Sequence, residues 1–491
     1  MDKVTIEKLN EVHVRVHAEP GIKMEMSDRF EFYVPGYKFI PSYRNKMWDG
    51  RIRMLNTMTG IIYAGLVPRI QKFCEDRQYH CDIDKELVPK TSDIPTDIGY
   101  QLAKDLNCPF VPLDYQNEAI YASLRSERRL ILSPTGSGKS FILYLLSRYY
   151  RILSDTKVLI IVPTTSLVAQ MEKDFNDYNR NNDVNLNIHC IMGGVDKNVD
   201  ADYTISTWQS IYKLKKDWFD KFGMVIGDEV HQFKAKSTMA IMEKCSDVRY
   251  RIGTTGTLDD SQTHKLTLEG LFGSVYKATK TKKLIADKTL AEFKIKSLVL
   301  QHPDEDKKIV SKLDYQSEID FIVRNEARNK FIRNLAWSLQ GNTLVLFQFV
   351  EKHGKVLDVL LRDQNEDKNI YFIHGGIKTE ERESVRELVE NSNNNIILAS
   401  YGTFSTGINI KRLDNLIFAS PSKSKIRNLQ SIGRILRRGN GADKAVLYDI
   451  ADDLNWKSKM CFASKHFVER MKQYGEEGFD VKIYNIKLEN K

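Results

Sequence analysis

Leu130-Ile131-Leu132-Ser133-Pro134-Thr135-Gly136-Ser137-Gly138-Lys139-Ser140 reads as an apolar strand, a tight loop and the first turn of a helix, which continues through Phe141-Ile142-Leu143-Tyr144-Leu145-Leu146. Gly136 and Gly138 let the backbone wrap closely and turn several N–H groups inward at a helix N-terminus, where aligned peptide dipoles favour an anion. Thr135, Gly136, Ser137 and Gly138 thus form a candidate phosphate cradle. Lys139 can reach the β- and γ-phosphates of a nucleotide such as ATP as a point charge, and the Ser140 hydroxyl is placed to hold Mg²⁺. Ser133 stands where the usual form of this pattern begins with glycine.

Outward from this loop, apolar strand candidates alternate with helical stretches. Residues 128–133, 157–162, 203–206, 223–227 and 250–254 predict a largely parallel sheet buried on both faces. Ligands of such sheets gather at the carboxyl ends of the strands. Asp228-Glu229-Val230-His231 follows Met224-Val225-Ile226-Gly227, so Asp228 can hold Mg²⁺ while Glu229 polarises an attacking water as a general base. The strand pattern restarts at 343–349, 369–373, 395–399, 415–419 and 445–449, without a second phosphate loop or acidic pair. One lobe holds the nucleotide and the other responds to it. Gln430-Ser431-Ile432-Gly433-Arg434-Ile435-Leu436-Arg437 then puts two arginines at i and i+3 on one helical face, as guanidinium groups converging on a γ-phosphate require. The candidate catalytic residues are Lys139, Asp228, Glu229, Gln430, Arg434 and Arg437.

A chain of 491 residues is too long for one core. The expected division is an accessory domain over 1–90, a first lobe over 91–285, a second over 286–450 and a tail over 451–491. A net charge of +9 permits a polyanionic partner without requiring one. Cys74, Cys81, Cys108, Cys190, Cys245 and Cys461 are scattered, with no Cys-x-x-Cys and no histidine pair at ligand spacing, so buried free thiols in a reducing compartment are expected. No apolar run approaches the ~18 residues of a membrane span, and the start, Met1-Asp2-Lys3, is charged; a soluble, intracellular protein is the expectation.

In the first ninety residues Val12, Val14 and Val16 alternate with His13, Arg15 and His17, a half-buried strand with both histidines on its solvated face. The stretch Tyr37 to Arg53 carries five basic residues against one acid, interleaved with four aromatics. Two readings stand side by side: a nucleic-acid surface using Arg44, Lys46, Trp48, Arg51 and Arg53, or a hairpin turning at Asp49-Gly50 whose aromatics are core. Pro89, Pro95 and Pro109 mark a linker, and Lys277 through Lys296 a solvated connector between lobes. The last forty residues read as basic and helical around Trp456 to Tyr474.

From about residue 110 to 450 the motif set resembles the DExH branch of superfamily two helicases. That resemblance makes Tyr115-Gln116 an adenine-reading motif, with Gln116 pairing both edges of the base. Pro163-Thr164-Thr165-Ser166-Leu167-Val168-Ala169-Gln170, Gly193-Gly194 and Thr207-Trp208-Gln209-Ser210 resemble the loops that hold nucleic-acid phosphates, which nominates Pro163, Thr164, Gln170, Gly194, Thr207 and Gln209. In the second lobe His374-Gly375-Gly376, the Phe347-Gln348-Phe349 strand end and the stretch Ala399 to Asn409 do the same, nominating His374, Gly375 and Thr403. Asn409 and Thr406 stand where many relatives carry Asp and Arg. Thr255-Gly256-Thr257 matches the motif whose hydroxyls couple the acidic loop to nucleic-acid occupancy; Thr255, Thr257 and His231 are the coupling residues. Arg434 and Arg437 become arginine fingers.

Taken whole, with Trp48-Asp49-Gly50-Arg51-Ile52-Arg53 and Phe404-Ser405-Thr406-Gly407, the chain is most similar to the phage UvsW-type helicases. The resemblance implies an α/β fold of two tandem RecA-like parallel-sheet lobes, a small N-terminal α+β domain and a short helical C-terminal tail. It further implies an ATP- and Mg²⁺-dependent helicase, monomeric, acting on DNA (branched, single-stranded or duplex) and on RNA–DNA hybrids in recombination, repair and replication control. The alternatives are a cellular DExH repair or restriction translocase and an ATP-gated clamp that does not separate strands.

Overall fold

The computed structural model describes residues 3–488 except 35, 89–92, 183, 234, 235, 259–261, 288–291, 364–367, 408, 409, 411, 421–423, 425–431 and 433–443. Two compact units divide the chain: residues 1–133 with 138–279, and 280–491 with 134–137.

The N-terminal region builds a four-stranded mixed sheet in the order β5-β2-β1-β6 from β1 (Lys3–Lys8), β2 (His13–His17), β5 (Ile61–Tyr63) and β6 (His80–Ile83), with β3 (Glu31–Tyr33) and β4 (Arg51–Arg53) paired separately. Val12, Val14 and Val16 face inward with essentially no exposure, as their alternation predicts, and Val4 and Ile6 of β1 are buried with them. His17 is solvated and meets Glu7 at 2.8 Å, whereas His13 stacks on Tyr63, so the two histidines differ. Asp49-Gly50 is not a hairpin turn: β3 and β4 are joined through the whole of 34–50, closed by Val34 N–H to Gly50 O.

This region packs onto the first lobe and shares a core with it. Leu266 of the helix Gln262–Phe272 belongs to the N-terminal apolar cluster, Arg128 pairs with Glu11 at 2.8 Å, and Tyr63 OH donates to Glu243 at 2.6 Å.

The first lobe is a seven-stranded, all-parallel sheet in the order β13-β7-β12-β11-β8-β10-β9: β7 (Arg128–Leu132), β8 (Lys157–Val162), β9 (Ile188–Ile191), β10 (Tyr203–Thr207), β11 (Phe222–Gly227), β12 (Tyr250–Thr255) and β13 (Val275–Lys277). The helix Lys139–Ser154 buries Ile142, Leu143, Leu145 and Leu146 completely. At about 1.5–3 kcal/mol for each such side chain removed from water, this helix is anchored by its core face, and the phosphate loop at its start is fixed with it. Arg251 is a buried charge within the sheet. Its guanidinium donates to the backbone oxygens of Met242, Cys245 and Leu271, at the ends of two helices where carbonyls lack intrahelical partners.

The second unit carries the other RecA-like lobe, again seven parallel strands, in the order β16-β17-β15-β18-β19-β14-β20: β14 (Glu292–Gln301), β15 (Thr343–Phe347), β16 (Ile370–Ile373), β17 (Ile396–Ser400), β18 (Asn415–Phe418), β19 (Lys444–Asp453) and β20 (Asp480–Lys487). The tail has the expected helix, Phe462–Glu477, locked by Arg470 to Asp449 at 2.9 Å, and continues into β20 at the sheet edge. Among its described residues the lysine-rich passage is not all connector: it includes β13's end, the helix Thr281–Ala286 and half of β14, with Lys277, Lys280, Lys282, Lys283 and Lys294 exposed. Among the described residues no helix is long and apolar enough to cross a membrane.

Candidate nucleotide site and nucleic-acid loops

The phosphate loop leaves β7 and closes on itself, with Ser137 Oγ donating to Pro134 O at 2.7 Å. Gly136 and Gly138 both sit in the left-handed region (φ +83° and +73°), the conformation that a side chain resists. A Cβ at Gly138 would also lie 2.5 Å from Gln116 Nε2. Gln116 is thus against the loop, yet its Oε1 accepts the Leu113 N–H at 2.8 Å and caps the helix Asp114–Leu124. The acceptor arm expected to read adenine is used in the cap.

Beyond the loop, Lys139 Nζ lies 3.3 Å from Ser133 O and 3.5 Å from Glu229 Oε1. Glu229 occupies a left-handed backbone (φ +50°), a conformation costing about 1–2 kcal/mol for a residue with a Cβ, and this turn at the end of β11 brings its carboxylate to Lys139. His231 Nδ1 is 3.3 Å from Glu229 Oε2 and 3.0 Å from Thr255 Oγ1, which donates to Thr257 O at 2.8 Å. His231, Thr255 and Thr257, the residues expected to couple, therefore form one chain of polar contacts. Burial opposes ionisation of Glu229, but the Lys139 charge and His231 outweigh it and hold the carboxyl well below its ordinary range. Asp228 is pushed up, by burial first and by the neighbouring Glu229 charge second.

Sequence reasoning missed one member. Thr254 Oγ1 donates to Asp228 Oδ1 at 2.6 Å, because the β11–β12 register sets Gly227 opposite Gly253 and so Asp228 beside Thr254. The signal available was a second hydroxyl directly before Thr255. Ser140 Oγ bonds Tyr178 OH at 2.8 Å, a contact that leaves a hydroxyl lone pair for a cation.

Sheet order sorts the remaining residues. Pro163 and Thr164 follow β8, with Thr164 capping the helix Thr165–Tyr178 that carries Gln170; Gly194 follows β9; Thr207 ends β10 and bonds Ser210 at 3.0 Å, with Gln209 exposed beside it. These three strands are neighbours, on the opposite side of β11 from β12 and β7. In the second unit His374 and Gly375 follow β16, and Thr403 follows β17, bonding Ser400 at 2.7 Å. Gln430, Arg434 and Arg437 lie outside the described residues.

In the N-terminal segment Arg51 is paired with Glu31 and donates to Tyr33 OH at 2.5 Å, while Arg53 meets Asp49 at 2.7 Å and Glu31 at 3.4 Å. Trp48 Nε1 donates to Arg51 O at 2.8 Å. Arg44 and Lys46 are exposed.

Comparisons with known proteins agree with this layout. Residues 4–84 match the family model for the N-terminal region of DNA helicase UvsW, 109–260 that for the res subunit of type III restriction enzymes, and 326–439 that for the helicase conserved C-terminal domain. The ATP-dependent DNA helicase UvsW of Enterobacteria phage T4 is 36% identical over 97% of this chain and 98% of its own. A DNA 3′-5′ translocase of Sulfurisphaera tokodaii is 29% identical over 66% of this chain and 78% of its own. The crystal structure of T4 UvsW covers 99% of this chain and 100% of its own, at 33% identity and a TM-score of 0.52. With 36% identity to T4 UvsW over nearly the whole of both chains, and a matching family model for the N-terminal region, the chain belongs to the UvsW family of ATP-dependent helicases.

Proposed function

We propose that this helicase acts on branched DNA, namely forks and four-way junctions, and on RNA–DNA hybrids, as an intracellular monomer serving recombination, repair and replication control. The observation that carries this reading is the division of one sheet edge. Lys139, Asp228, Glu229 and Thr255 gather at β7, β11 and β12; beside them the Thr164 and Thr207 hydroxyls stand at the ends of β8 and β10, and Gly193-Gly194 follows β9.

Two hard oxygen donors, the Ser140 hydroxyl and the Asp228 carboxylate, fit Mg²⁺, which is commonly held by one or two carboxylates together with substrate phosphates. When bound, Mg²⁺ neutralises phosphate charge. Lys139 counters the remaining charge, and Glu229, kept ionised by Lys139 and His231, orients and deprotonates the attacking water. Thr207 and Thr164 can hold strand phosphates without reading sequence. A strand seated there bears on the polar chain from Thr257 through Thr255 and His231 to Glu229, so DNA stimulates hydrolysis. Arg434 and Arg437 are the arginine-finger candidates of this reading.

Energy favours branched substrates. Melting a base-pair step costs about 1.4 kcal/mol on average, whereas moving a branch breaks one pair as it forms another. The test compares initial rates on a four-way junction, a fork, an R-loop and a blunt duplex of matched length, at one salt concentration and saturating ATP. Rates at least as fast on the blunt duplex would remove the branched-substrate reading.

A further inference from the structure

Phosphate contacts alone do not account for the segment between β3 and β4. Residues 36–50 fold back as a compact knuckle, closed at its neck by Val34 N–H to Gly50 O at 2.9 Å and internally by Arg44 N–H to Ile40 O at 3.1 Å and Met47 N–H to Ser42 O at 2.9 Å. Its tyrosines pack on one another: Tyr33 stacks on Tyr37, and Tyr37 meets Tyr43 edge-on, each at 4.7 Å between centroids. Two large apolar side chains do the opposite. Phe39 is 76% exposed and Met47 78%. Leaving each in water forgoes about 1.5–3 kcal/mol of burial, whereas Tyr37 and Tyr43 are half-buried in contact with one another.

Charge follows the same division. Arg51 and Arg53 are matched by Glu31 and Asp49 at the base. Lys38, Arg44 and Lys46, next to the exposed pair in sequence, have no carboxylate in ion-pair range among the described residues; Lys38 lies over the Tyr37 ring and Arg44 Nε donates to Lys38 O. Apolar tips bordered by unmatched cations complement a polyanion that presents flat apolar faces.

We propose that the knuckle docks at the branch point of nucleic acid, Phe39 and Met47 stacking on bases the junction leaves unstacked while Lys38, Arg44 and Lys46 hold the flanking phosphates. The proposal rests on the nucleic-acid reading above and adds to it the element that holds the junction open. Phe and Met are among the apolar side chains that wedge between base steps, and the unstacking cost is least where pairing is already broken. The contact therefore selects branches over continuous duplex, and stacking makes it tolerant of sequence.

The test uses the full chain, without nucleotide, and a synthetic fork carrying 2-aminopurine at the branch. Wild-type protein raises the fluorescence on binding; the Phe39→Ala/Met47→Ala variant does not, and its fork affinity falls about tenfold, while affinity for a blunt duplex of equal length stays within about twofold. Both side chains are exposed, so an unchanged melting temperature serves as the fold control. An unaltered 2-aminopurine signal and fork affinity in the folded double variant would overturn the proposal and leave the patch to a protein partner. With no ATP present, this outcome is separate from the rate comparison above: a wild type lacking branch preference in turnover fails that reading, not this one.

Discussion

Thr254 donates its hydroxyl to Asp228 Oδ1 at 2.6 Å, and both residues are buried at the junction of β11 and β12. Thr254→Val keeps the β-branched shape and leaves a buried carboxylate oxygen without its donor, a loss of about 1–3 kcal/mol. ATP turnover should fall by about 10- to 100-fold and half-maximal activity should need more Mg²⁺, while ATP binding measured without Mg²⁺ is little altered. Thr254→Ser should restore most of the rate. Equal turnover in the Val and Ser variants would show that the hydroxyl does not position Asp228.

Gly138→Ala tests the cradle. The new methyl meets Gln116 Nε2 and forces a left-handed residue to carry a Cβ, a cost of about 1 kcal/mol before the clash is counted. Nucleotide affinity, followed by titration calorimetry, should drop at least about fivefold. Gln116→Ala combined with Gly138→Ala should recover part of the loss, since the clash partner is gone. No recovery would place the damage in the loop backbone alone.

The strands of both lobes were legible because runs such as 157–162 and 343–347 are apolar on both faces, and a parallel sheet covered by helices demands that. The strands missed, β9, β13, β14 and β20, are of another kind: β9 and β13 are short and mostly half-buried. β20 is largely exposed, and β14 begins as Glu292-Phe293-Lys294-Ile295-Lys296, so lysines at alternate positions disguise a sheet strand as a connector. Glycines and charged residues marked the candidate nucleotide site, since chemistry fixes their spacing. Thr254 and the Gln116 cap were hidden because each depends on register or on a neighbouring helix end, which no local spacing encodes.

Salt dependence separates the cations of the N-terminal segment. Arg51 and Arg53 are committed to Glu31 and Asp49, whereas Arg44 and Lys46 project into solvent. Replacing Arg44 and Lys46 with Ala should therefore reduce the slope of log affinity against log salt on duplex DNA, by about 0.9 for each phosphate that is no longer neutralised. Replacing Arg51 should instead lower the melting temperature with a smaller change of slope. The reverse pattern would assign DNA binding to the paired arginines.

Acid stability of the second unit should depend on Asp452. Its carboxylate is wholly buried, 2.8 Å from Arg328 Nε and 3.0 Å from His302 Nε2, and despite the opposing effect of burial the Arg328 charge and the His302 bond hold it below the usual carboxylate range. A depressed folded-state pKa stabilises the fold above the ordinary carboxylate pKa and loses that contribution as pH falls through the folded value. Asp452→Asn strands Arg328 without a counter-charge, at a cost of about 3–5 kcal/mol. Unfolding followed from neutral to acid pH should show a flatter pH dependence in the variant than in wild type. Parallel curves would mean that the pair contributes nothing specific.

Gly65 sets how closely the N-terminal region approaches the first lobe. A Cβ there would lie 2.1 Å from Glu269 O, 2.6 Å from Gly270 O and 2.9 Å from Gly273 N, all backbone at the end of the helix Gln262–Phe272, where no side chain can swing away. The same helix contributes Leu266 to the N-terminal core, and Arg251 holds its Leu271 carbonyl, so the seam is tied to β12 and through it to Thr254 and Thr255. Gly65→Ala should cost at least about 1–3 kcal/mol, as overpacking of a filled interior does. Calorimetry should then resolve an early transition for the N-terminal region ahead of the lobe, and trypsin should cut sooner near Lys85. ATP hydrolysis without DNA should change less than fork processing, because the Lys139 and Glu229 contacts are made within the lobe, whereas the seam sets where the N-terminal region and its knuckle stand on that lobe. A single unshifted transition with wild-type fork rates would mean that the two regions tolerate separation, and that the 36–50 knuckle does not need a fixed position relative to the nucleotide site.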